Sequence, residues 1–481
     1  MGCKKWLSLA LIAASLVSCS KNPFTNPYAY APLHSNQTWE PTKYEIKKLD
    51  TVKSLDSLEI PSASDCISLG DLFDIGLANS PETRRSWEEA REKAAGYSAA
   101  MSEYLPSINM DANYWNIRQG SVFNDDLFLT IASQWGPEAN LSYLLWDSGE
   151  RRYKTEFAFQ ILQQANWAHN EEIQRVLQSI AASYYQYLYS KALFEADQAD
   201  LLNAEETYRA AKEKCALGIF DETDMLQAKT HYLQKKVDLT GQTAVVNNAF
   251  VDLLSVLGIP ANISFQLGSF PNQEPIEQKF ENIDELIAIA KAKRPDLIAA
   301  KAEILAFEAQ VEKKKSELYP KVNLSFQGGQ QWFNNGTTDA GNYYLSIDLT
   351  FPVFTGFYYL NQIKQAQSQL EKQIATFKET ELIVLKQVKQ SHNNFLMAKE
   401  EISDTKSYLD AAQVEYNAMF ERYKIGIINI LDLLSSQAYL SDARAKYALA
   451  KKNYFMAIIN LAFSTGTLAN ACPLTQGKTN E

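Results

Sequence analysis

The chain repeats a glycine followed six residues later by an aspartate at two distant places. Gly218 precedes Asp224 in the stretch ALGIFDETDML, and Gly426 precedes Asp432 in KIGIINILDLL. A carboxylate at such a corner can accept hydrogen bonds from the free backbone N–H groups that begin a helix. Several copies around a symmetry axis would instead repel one another and attract cations. The spacing therefore predicts either helix capping or a charged constriction.

Polar residues just before each aspartate favour the capping role. Asp221 and Asn429 are good N-cap residues, which places Asp224 and Asp432 at the third position of the helix that follows. There the carboxylates would face the positive end of the helix dipole. Capping and a gate or cation ring can hold at once, and both interpretations are kept.

No combination of residues typical of catalysis or of metal binding is found elsewhere in the sequence. The histidines lack metal-ligand spacing, and the HExxH, GxSxG and Walker motifs are missing. We therefore expect no enzyme activity, no cofactor and no metal site. The net charge of −11 and the pI near 5.2 argue against nucleic acid as a partner, because nucleic acids select basic surfaces.

The first residues are typical of an export signal. Two lysines precede an apolar run over residues 6–17 that is too short to span a membrane. The run ends in LVSC, which resembles the lipobox of bacterial lipoproteins, so Cys19 is the candidate lipidation site. Residues 1–18 would then be the signal peptide, and residues 19–67 a lipid-anchored periplasmic segment. The alternative is an ordinary signal peptide with an accidental cysteine at this position.

Cleavage and lipidation would leave an odd number of cysteines in an oxidising compartment. A disulfide between Cys66 and Cys472 is one possibility, since the two ends of the folded repeat could meet. Cys215 lies in a helical pattern and is expected to be a small apolar filler.

The chain contains an internal duplication of most of its length. The stretch that starts at Leu72 aligns without a gap with the stretch that starts at Leu286, and glycines and prolines recur in the same order beyond it. The paired positions are Leu72 and Leu286, Pro81 and Pro295, Pro106 and Pro320, Gly149 and Gly356, Gly218 and Gly426, and Gly258 and Gly466. The predicted organisation is a first repeat over 68–260, a linker over 261–283, a second repeat over 284–466 and a tail over 467–481.

Each repeat contains a helix longer than any ordinary globular domain needs. Residues 150–217 and 357–425 contain neither glycine nor proline, and a helix of that length spans about 100 Å. Gly218 and Gly426 then become the corners of two antiparallel helical hairpins. A shorter helix of roughly 35 residues is expected before each strand region. The stretch from Leu360 to Phe377 has a coiled-coil spacing, so the long helices should pack on one another.

Between the helical regions the hydrophobic period changes to 2. Residues 107–148 and 321–355 each contain two alternating strands of about 10 residues, a length that crosses a bilayer on a tilt. A soluble sheet with one wet face is the alternative. Four strands cannot close a barrel alone, and open edges are not tolerated in lipid. Three chains would supply twelve strands around a passage, so a homotrimer is the smallest conducting assembly.

The order of these elements resembles the outer membrane efflux protein family, the TolC-like channels. The resemblance covers about Leu72 to Gly466 and rests on the duplicated succession of helix, strand pair, long helix, Gly-x5-Asp corner and returning helix. It implies a mainly α fold with a β membrane segment, in which a long α-helical coiled-coil barrel joins a trimeric 12-stranded transmembrane β-barrel. The lipobox points to the lipid-anchored branch of the family.

The resemblance further implies a homotrimer in contact with the outer membrane lipid of a Gram-negative bacterium, with a large periplasmic portion. A periplasmic adaptor (membrane fusion) protein and an inner-membrane RND or ABC pump would load its inner end. The expected function is passive export of small molecules, namely drugs, toxic compounds or metal ions. One alternative is the outer membrane component of a type I protein secretion system. Another, from a different class, is a lipid-anchored periplasmic coiled-coil scaffold.

In this family the helical tips close the tube. Tyr423, Asp432 and Asp224 stand at the positions that the resemblance assigns to the periplasmic gate. Ile428 and Ser435 depart from the family pattern, which has a basic and an acidic residue there. These departures argue against a gate made of Arg-to-carboxylate bridges.

Overall fold

The computed structural model describes residues 67–123, 126–218, 221–268, 270, 282–333 and 339–471. All of them belong to one compact unit, Ile60–Glu481. The predictions that concern Cys19, Cys66 and Cys472 lie outside the described residues.

The described residues form helices and strands in the order that the duplication predicts, helix then strand pair then helical hairpin, twice. The helices are α1 (Leu69–Asn79), α2 (Pro81–Met101), α3 (Glu150–Ala216), α4 (Glu222–Val256), α5 (Ile283–Lys293), α6 (Pro295–Ser316), α7 (Tyr358–Lys424), α8 (Ile430–Ser464) and α9 (Leu468–Ala471). The strands are β1 (Ser107–Phe123), β2 (Asp126–Trp146), β3 (Lys321–Phe333) and β4 (Asp339–Thr350).

Helices α3 and α7 are the two long helices, and each has 67 residues. At about 1.5 Å per residue each is about 100 Å long. A residue with positive φ precedes each of them, Gly149 at +92° and Phe357 at +65°. The Asp147 carboxylate accepts hydrogen bonds from the backbone N–H groups of Gly149 (3.2 Å) and Arg151 (2.8 Å), which satisfies free donors at the start of α3.

The helix before each strand pair is broken in two, so the prediction of one continuous helix of roughly 35 residues is wrong. Pro81 and Pro295 begin α2 and α6, each at the first helical position. A proline lacks the N–H that would bond to the preceding turn, and it forces the residue before it out of the helical region. Ser80 and Arg294 accordingly have extended backbones, with ψ of 123° and 122°.

The four strands form one antiparallel sheet in the order β1-β2-β3-β4. β1 pairs with β2 from Ser107↔Ser142 to Phe123↔Asp126, and β3 pairs with β4 from Lys321↔Thr350 to Trp332↔Asp339. The strands have 17, 21, 13 and 12 residues, so they are longer than the expected 10. Within the described sheet β1 and β4 are edge strands that pair on one side only.

Both repeats bury equivalent apolar residues. Leu72 and its counterpart Leu286 are 0% and 5% exposed, and each contributes to a separate core cluster. Burying a leucine side chain contributes about 1.5–3 kcal/mol to the stability of the fold.

The predicted coiled-coil seam lies on α7. The seam residues from Leu360 to Phe377 are only half-buried or exposed in a single chain, whereas the buried positions of this helix include Val384, Val388 and Phe395.

A third core cluster joins α3, α4, α7 and α8 near the hairpin corners, and we call it the tip cluster. Its buried members are Ala211, Ala228, Ala412, Tyr416, Tyr423, Ile430, Leu433, Leu440 and Ala443. The two repeats are therefore packed against each other at their corners.

Among the described helices, none is both long and apolar enough to span a membrane.

Candidate functional site

Gly218 and Gly426 lie at the ends of α3 and α7, where the chain turns toward the returning helices. Their φ angles are +71° and +80°, in the left-handed region that favours glycine. At the second corner the Gly426 N–H donates to the Tyr423 carbonyl and the Ile427 N–H donates to the Arg422 carbonyl, both at 3.0 Å. This pair of bonds is the Schellman ending of a helix. The glycines are thus explained by the turn itself.

The returning helices are capped by the residues that precede the two aspartates. Asn429 Oδ1 accepts a hydrogen bond from the Asp432 N–H at 2.9 Å, and Asp221 Oδ1 accepts one from the Glu222 N–H at 2.7 Å. The Asp432 side chain is exposed, and the Asp224 side chain is half-buried. Since Asn429 and Asp221 supply the caps, the carboxylates of Asp432 and Asp224 remain available for other roles.

Tyr423 lies at the centre of the tip cluster, with 0% of its surface exposed. Burial raises its pKa to about 12, and the negative charge of Asp224 contributes in the same direction. Ala228, one turn after Asp224 on α4, packs in the tip cluster with Tyr423, so the structure brings Tyr423 of the second repeat close to Asp224 of the first. These two residues are 199 positions apart in sequence but belong to one site.

Lys214 is the residue of this site that the sequence did not reveal. It lies in the last turn of α3, and its Nζ donates a hydrogen bond to the Tyr423 carbonyl oxygen. The same Nζ lies 4.4 Å from the centroid of the Tyr423 ring, which is a cation–π geometry. Lys214 is buried, and burial lowers the pKa of its ammonium group. One side chain thus links the corner of the first hairpin to that of the second.

Ile428 and Ser435, the two residues that depart from the family pattern, both lie at the tip. Ile428 is half-buried and packs against the tip cluster, whereas Ser435 is exposed. The position of a basic residue in the family pattern is therefore occupied by an apolar contact. A buried cation at this tip comes from Lys214, which lies four residues before Gly218 in sequence.

A buried polar network links the two hairpins further along the helices. Arg444 on α8 bonds to Asp200 on α3 at 2.5 Å and to Gln413 on α7 at 3.1 Å. Lys235 on α4 lies 3.8 Å from the other Asp200 oxygen. Gln437 on α8 donates to the Thr207 hydroxyl on α3 at 2.9 Å. A buried ion pair is weak evidence for added stability, but its directional bonds specify how these four helices align.

The described residues do not include a cluster of three or more histidine, cysteine or acidic side chains that could hold a metal ion. Cys215 is a free thiol and is half-buried in α3.

The sequence model of the family described as outer membrane efflux protein matches residues 72–259 and 286–467. The chain belongs to the outer membrane efflux protein family. The two matched segments correspond to the two repeats, so the family pattern occurs twice. The resemblance inferred from the corners and the long helices is confirmed.

Relatives in this family support the assignment over most of the chain. The toluene efflux pump outer membrane protein TtgC of Pseudomonas putida is 21% identical over 388 residues, which is 78% of each chain. The outer membrane protein TolC of Escherichia coli is 21% identical over 430 residues, covering 85% of this chain and 84% of TolC. The crystal structure of VceC from Vibrio cholerae aligns with a TM-score of 0.72 at 18% identity, covering 83% of this chain and 96% of VceC.

These findings establish the class of function. The chain is an efflux channel of the outer membrane of Gram-negative bacteria, and the family consists of channel proteins that are not enzymes. The predicted fold class is confirmed, since the chain is mostly helical with a four-stranded antiparallel sheet and its structural neighbours are TolC-like channels. The scaffold alternative is disfavoured by the same family membership.

Proposed function

We propose that this efflux family member acts as a homotrimeric duct in a tripartite system that exports small molecules. The observation that carries the proposal is a sheet with two unpaired edges and one exposed apolar face. Among the residues that the structure describes, edge strands β1 and β4 each have a row of backbone groups that face no partner strand. Such groups are not tolerated in lipid. Two further copies would pair both edges and close a twelve-stranded barrel.

One face of the sheet has the chemistry of a lipid contact. Met110 on β1 is 81% exposed, and Tyr343 and Ile347 on β4 are 82% and 69% exposed. Residues directly opposite one another share a face, and Ile347 is opposite Leu324 on β3. An exposed apolar surface of this extent on a soluble chain would promote aggregation. Lipid is the solvent that suits this face.

The helices also expose apolar residues that suit a second copy of the chain. Val237 on α4, and Leu382 and Val414 on α7, are each more than 60% exposed. These helices lie at the two sides of the four-helix arrangement, since the described packing joins α3 to α4, α7 to α8 and α3 to α8. In a trimer, α4 of one copy would cover α7 of the next and continue the helical wall into a tube.

For the transport cycle we propose a periplasmic adaptor and an inner-membrane RND or ABC pump as partners. The sequence contains no Walker motif, which is the signature of nucleotide hydrolysis. We propose that the pump supplies the energy for export. Drugs, toxic compounds or metal ions are the proposed cargo. The name of TtgC as part of a toluene efflux pump supports a small molecule over a protein substrate.

We propose that Tyr423, Asp224 and Asp432 form the periplasmic gate at the hairpin tips. Asp432 is exposed and immediately precedes Leu433, which belongs to the tip cluster with Tyr423, so three copies around a trimer axis would give a ring of carboxylates. In planar bilayers, wild-type trimers are expected to conduct weakly, and Asp432→Asn should increase leak conductance and lower cation selectivity. Asp410→Asn, an exposed aspartate elsewhere on α7, is the matched control. Unchanged conductance in Asp432→Asn would remove this residue from the gate.

The assembly itself is tested on the same material. Heat-modifiable trimers that need detergent for extraction support the duct. A protein that is monomeric and dissolved in plain buffer after removal of its lipid would overturn the proposal, because both sheet edges would then be stable without partners.

We propose that Cys19 carries the lipid anchor. The support is the LVSC motif after an apolar run of signal-peptide length. Cells fed labelled palmitate should incorporate label into the wild-type protein and none into Cys19→Ser. Label retained by Cys19→Ser would assign the acyl group to another residue. No label in either protein would favour an ordinary signal peptide.

A further inference from the structure

A depression interrupts the polar face of the sheet where β2 and β3 stop pairing. The two strands pair at Trp135↔Trp332, and their pairing resumes at Glu138↔Gly329. Between these points two residues on each strand are not paired with the other strand. Pro137 lies in this gap and has no N–H to donate to a ladder. A cavity of about 220 Å³ opens here. It is smaller than the ~300–1,000 Å³ of a drug-sized site, so it suits a ligand of about one ring.

Two glycines form the floor of the cavity, and the backbone around them excludes any side chain. A Cβ added to Gly136 would lie 1.8 Å from the Gln330 carbonyl oxygen. A Cβ added to Gly329 would lie 2.5 Å from the Pro137 carbonyl oxygen. The strands therefore approach one another closely at a point where larger residues surround them, and a depression results.

The walls combine aromatic rings with carboxamides. Trp115 is opposite Gln134, and Tyr344 is opposite Gln327, so these four side chains share the polar face of the sheet. Trp115 and Tyr344 are 53% and 58% exposed, and the side chains that line the cavity with them on this face include Asn113, Gln134 and Gln327. Exposed aromatic rings beside amide groups are a feature that the duct alone does not require.

Hydrogen bonds hold part of the polar wall in place. Gln327 Nε2 donates to the Glu138 carboxylate, and Asn342 Nδ2 donates to Gln331 Oε1 at 2.8 Å. Each of these carboxamides keeps a further donor or acceptor atom. The single carboxylate is engaged by Gln327, which weakens its attraction for a cation. The wall therefore offers neutral donors and acceptors at several fixed positions.

We propose that this cavity binds a saccharide whose pyranose rings stack on Trp115 and on Tyr344. Carboxamides match the alternating donors and acceptors of sugar hydroxyl groups. Aromatic rings match the apolar C–H faces of a pyranose, and they bury large areas at low conformational cost. The inference rests on the proposed function, because the polar face of the sheet lines the passage only if the other face contacts lipid. The ligand would then enter from the lumen.

Calorimetric titration of detergent-solubilised trimers with maltotriose and with the N-acetylglucosamine trisaccharide tests the proposal. We expect at least one of the two to bind, and Trp115→Ala to weaken it about tenfold, the effect of losing an aromatic contact of about 1–1.5 kcal/mol. Trp115→Phe should keep most of the affinity. Asn109→Ala, an exposed polar-face residue outside the cavity, is the matched control and should bind like the wild type.

Two outcomes would overturn the saccharide site. The first is no heat of binding for either sugar at millimolar concentration, and the second is binding that Trp115→Ala leaves unchanged. In the first case, binding of tetraphenylphosphonium in the cavity would assign it to aromatic cations. Trimer formation and bilayer conductance are measured separately, so a failure of this site is distinguishable from a failure of the proposed duct.

Discussion

Lys214→Met is expected to increase the open probability of the channel by about 30- to 100-fold. The substitution keeps the length of an unbranched side chain but removes the ammonium group that binds the Tyr423 carbonyl and ring. A hydrogen bond to a charged group contributes about 1.5–3 kcal/mol, and a cation–π contact about 0.5–2 kcal/mol. Taking about 2–2.7 kcal/mol for the two contacts together, the population of the closed state relative to the open state falls by a factor of roughly 30 to 100.

The reason for so large an effect is the position of Lys214 between two hairpins. It belongs to the first repeat and bonds to a residue of the second, so the contact breaks whenever the two corners separate. Contacts within one hairpin, such as the Lys424–Glu421 pair on α7, would survive that movement. A link that exists in only one of two states shifts the equilibrium between them by its own free energy.

Single-channel recording in planar bilayers provides the measurement. Lys212→Met is the matched control, because Lys212 is an exposed lysine two residues away on the same helix. Lys214→Arg should restore most of the closure, since a guanidinium can donate to the same carbonyl. Equal open probability in Lys214→Met and the wild type would show that the contact does not restrain the gate. A thermal melt identifies any variant that fails through unfolding instead.

Much of this architecture could be predicted because its determinants are local. The absence of glycine and proline over residues 150–217 and 357–425 predicts long helices, and a period of 2 predicts strands. The duplication adds a constraint, since each pattern occurs twice in the same order. The broken helices at Pro81 and Pro295 were missed although the signal was local. A proline at the first helical position begins a helix as readily as it interrupts one.

The contacts at the tip could not be predicted in the same way. Lys214 and Tyr423 are 209 residues apart, and nothing in either neighbourhood specifies the other. Their contact depends on how two complete hairpins pack through the tip cluster. The saccharide cavity has the same origin, because Gly136 and Gly329 become a common floor only when β2 and β3 are adjacent. Non-local packing therefore decides the chemistry of both sites.

Ile347→Arg is expected to abolish trimer assembly in the outer membrane. Ile347 lies on edge strand β4 with 69% of its surface exposed, on the face proposed to contact lipid. An arginine on the lipid face of a barrel costs about 2–4 kcal/mol near the bilayer midplane. A trimer carries three copies, so the total is roughly 6–12 kcal/mol, comparable to the whole stability of a folded domain of about 5–15 kcal/mol.

The adjacent residue supplies a matched control on the opposite face. Ser346 is opposite Ser325 and bonds to the Asp348 carboxylate at 2.7 Å, so it belongs to the polar face. Ser346→Arg introduces the same side chain into the same strand, one residue away, beside a carboxylate and in contact with water. It should assemble nearly as well as the wild type, because successive strand residues point to opposite sides.

Outer membrane fractions analysed without heating give the result directly, as the ratio of trimer to total protein. The lipid-facing arrangement requires trimers in Ser346→Arg and their loss in Ile347→Arg. Equal tolerance of both arginines would place both faces of the sheet in water, and the same result would remove the need for a closed barrel. The reverse order, with only Ser346→Arg failing, would mean that the polar face is packed against protein. The pair of variants therefore measures which face meets lipid, independently of conductance and of cargo.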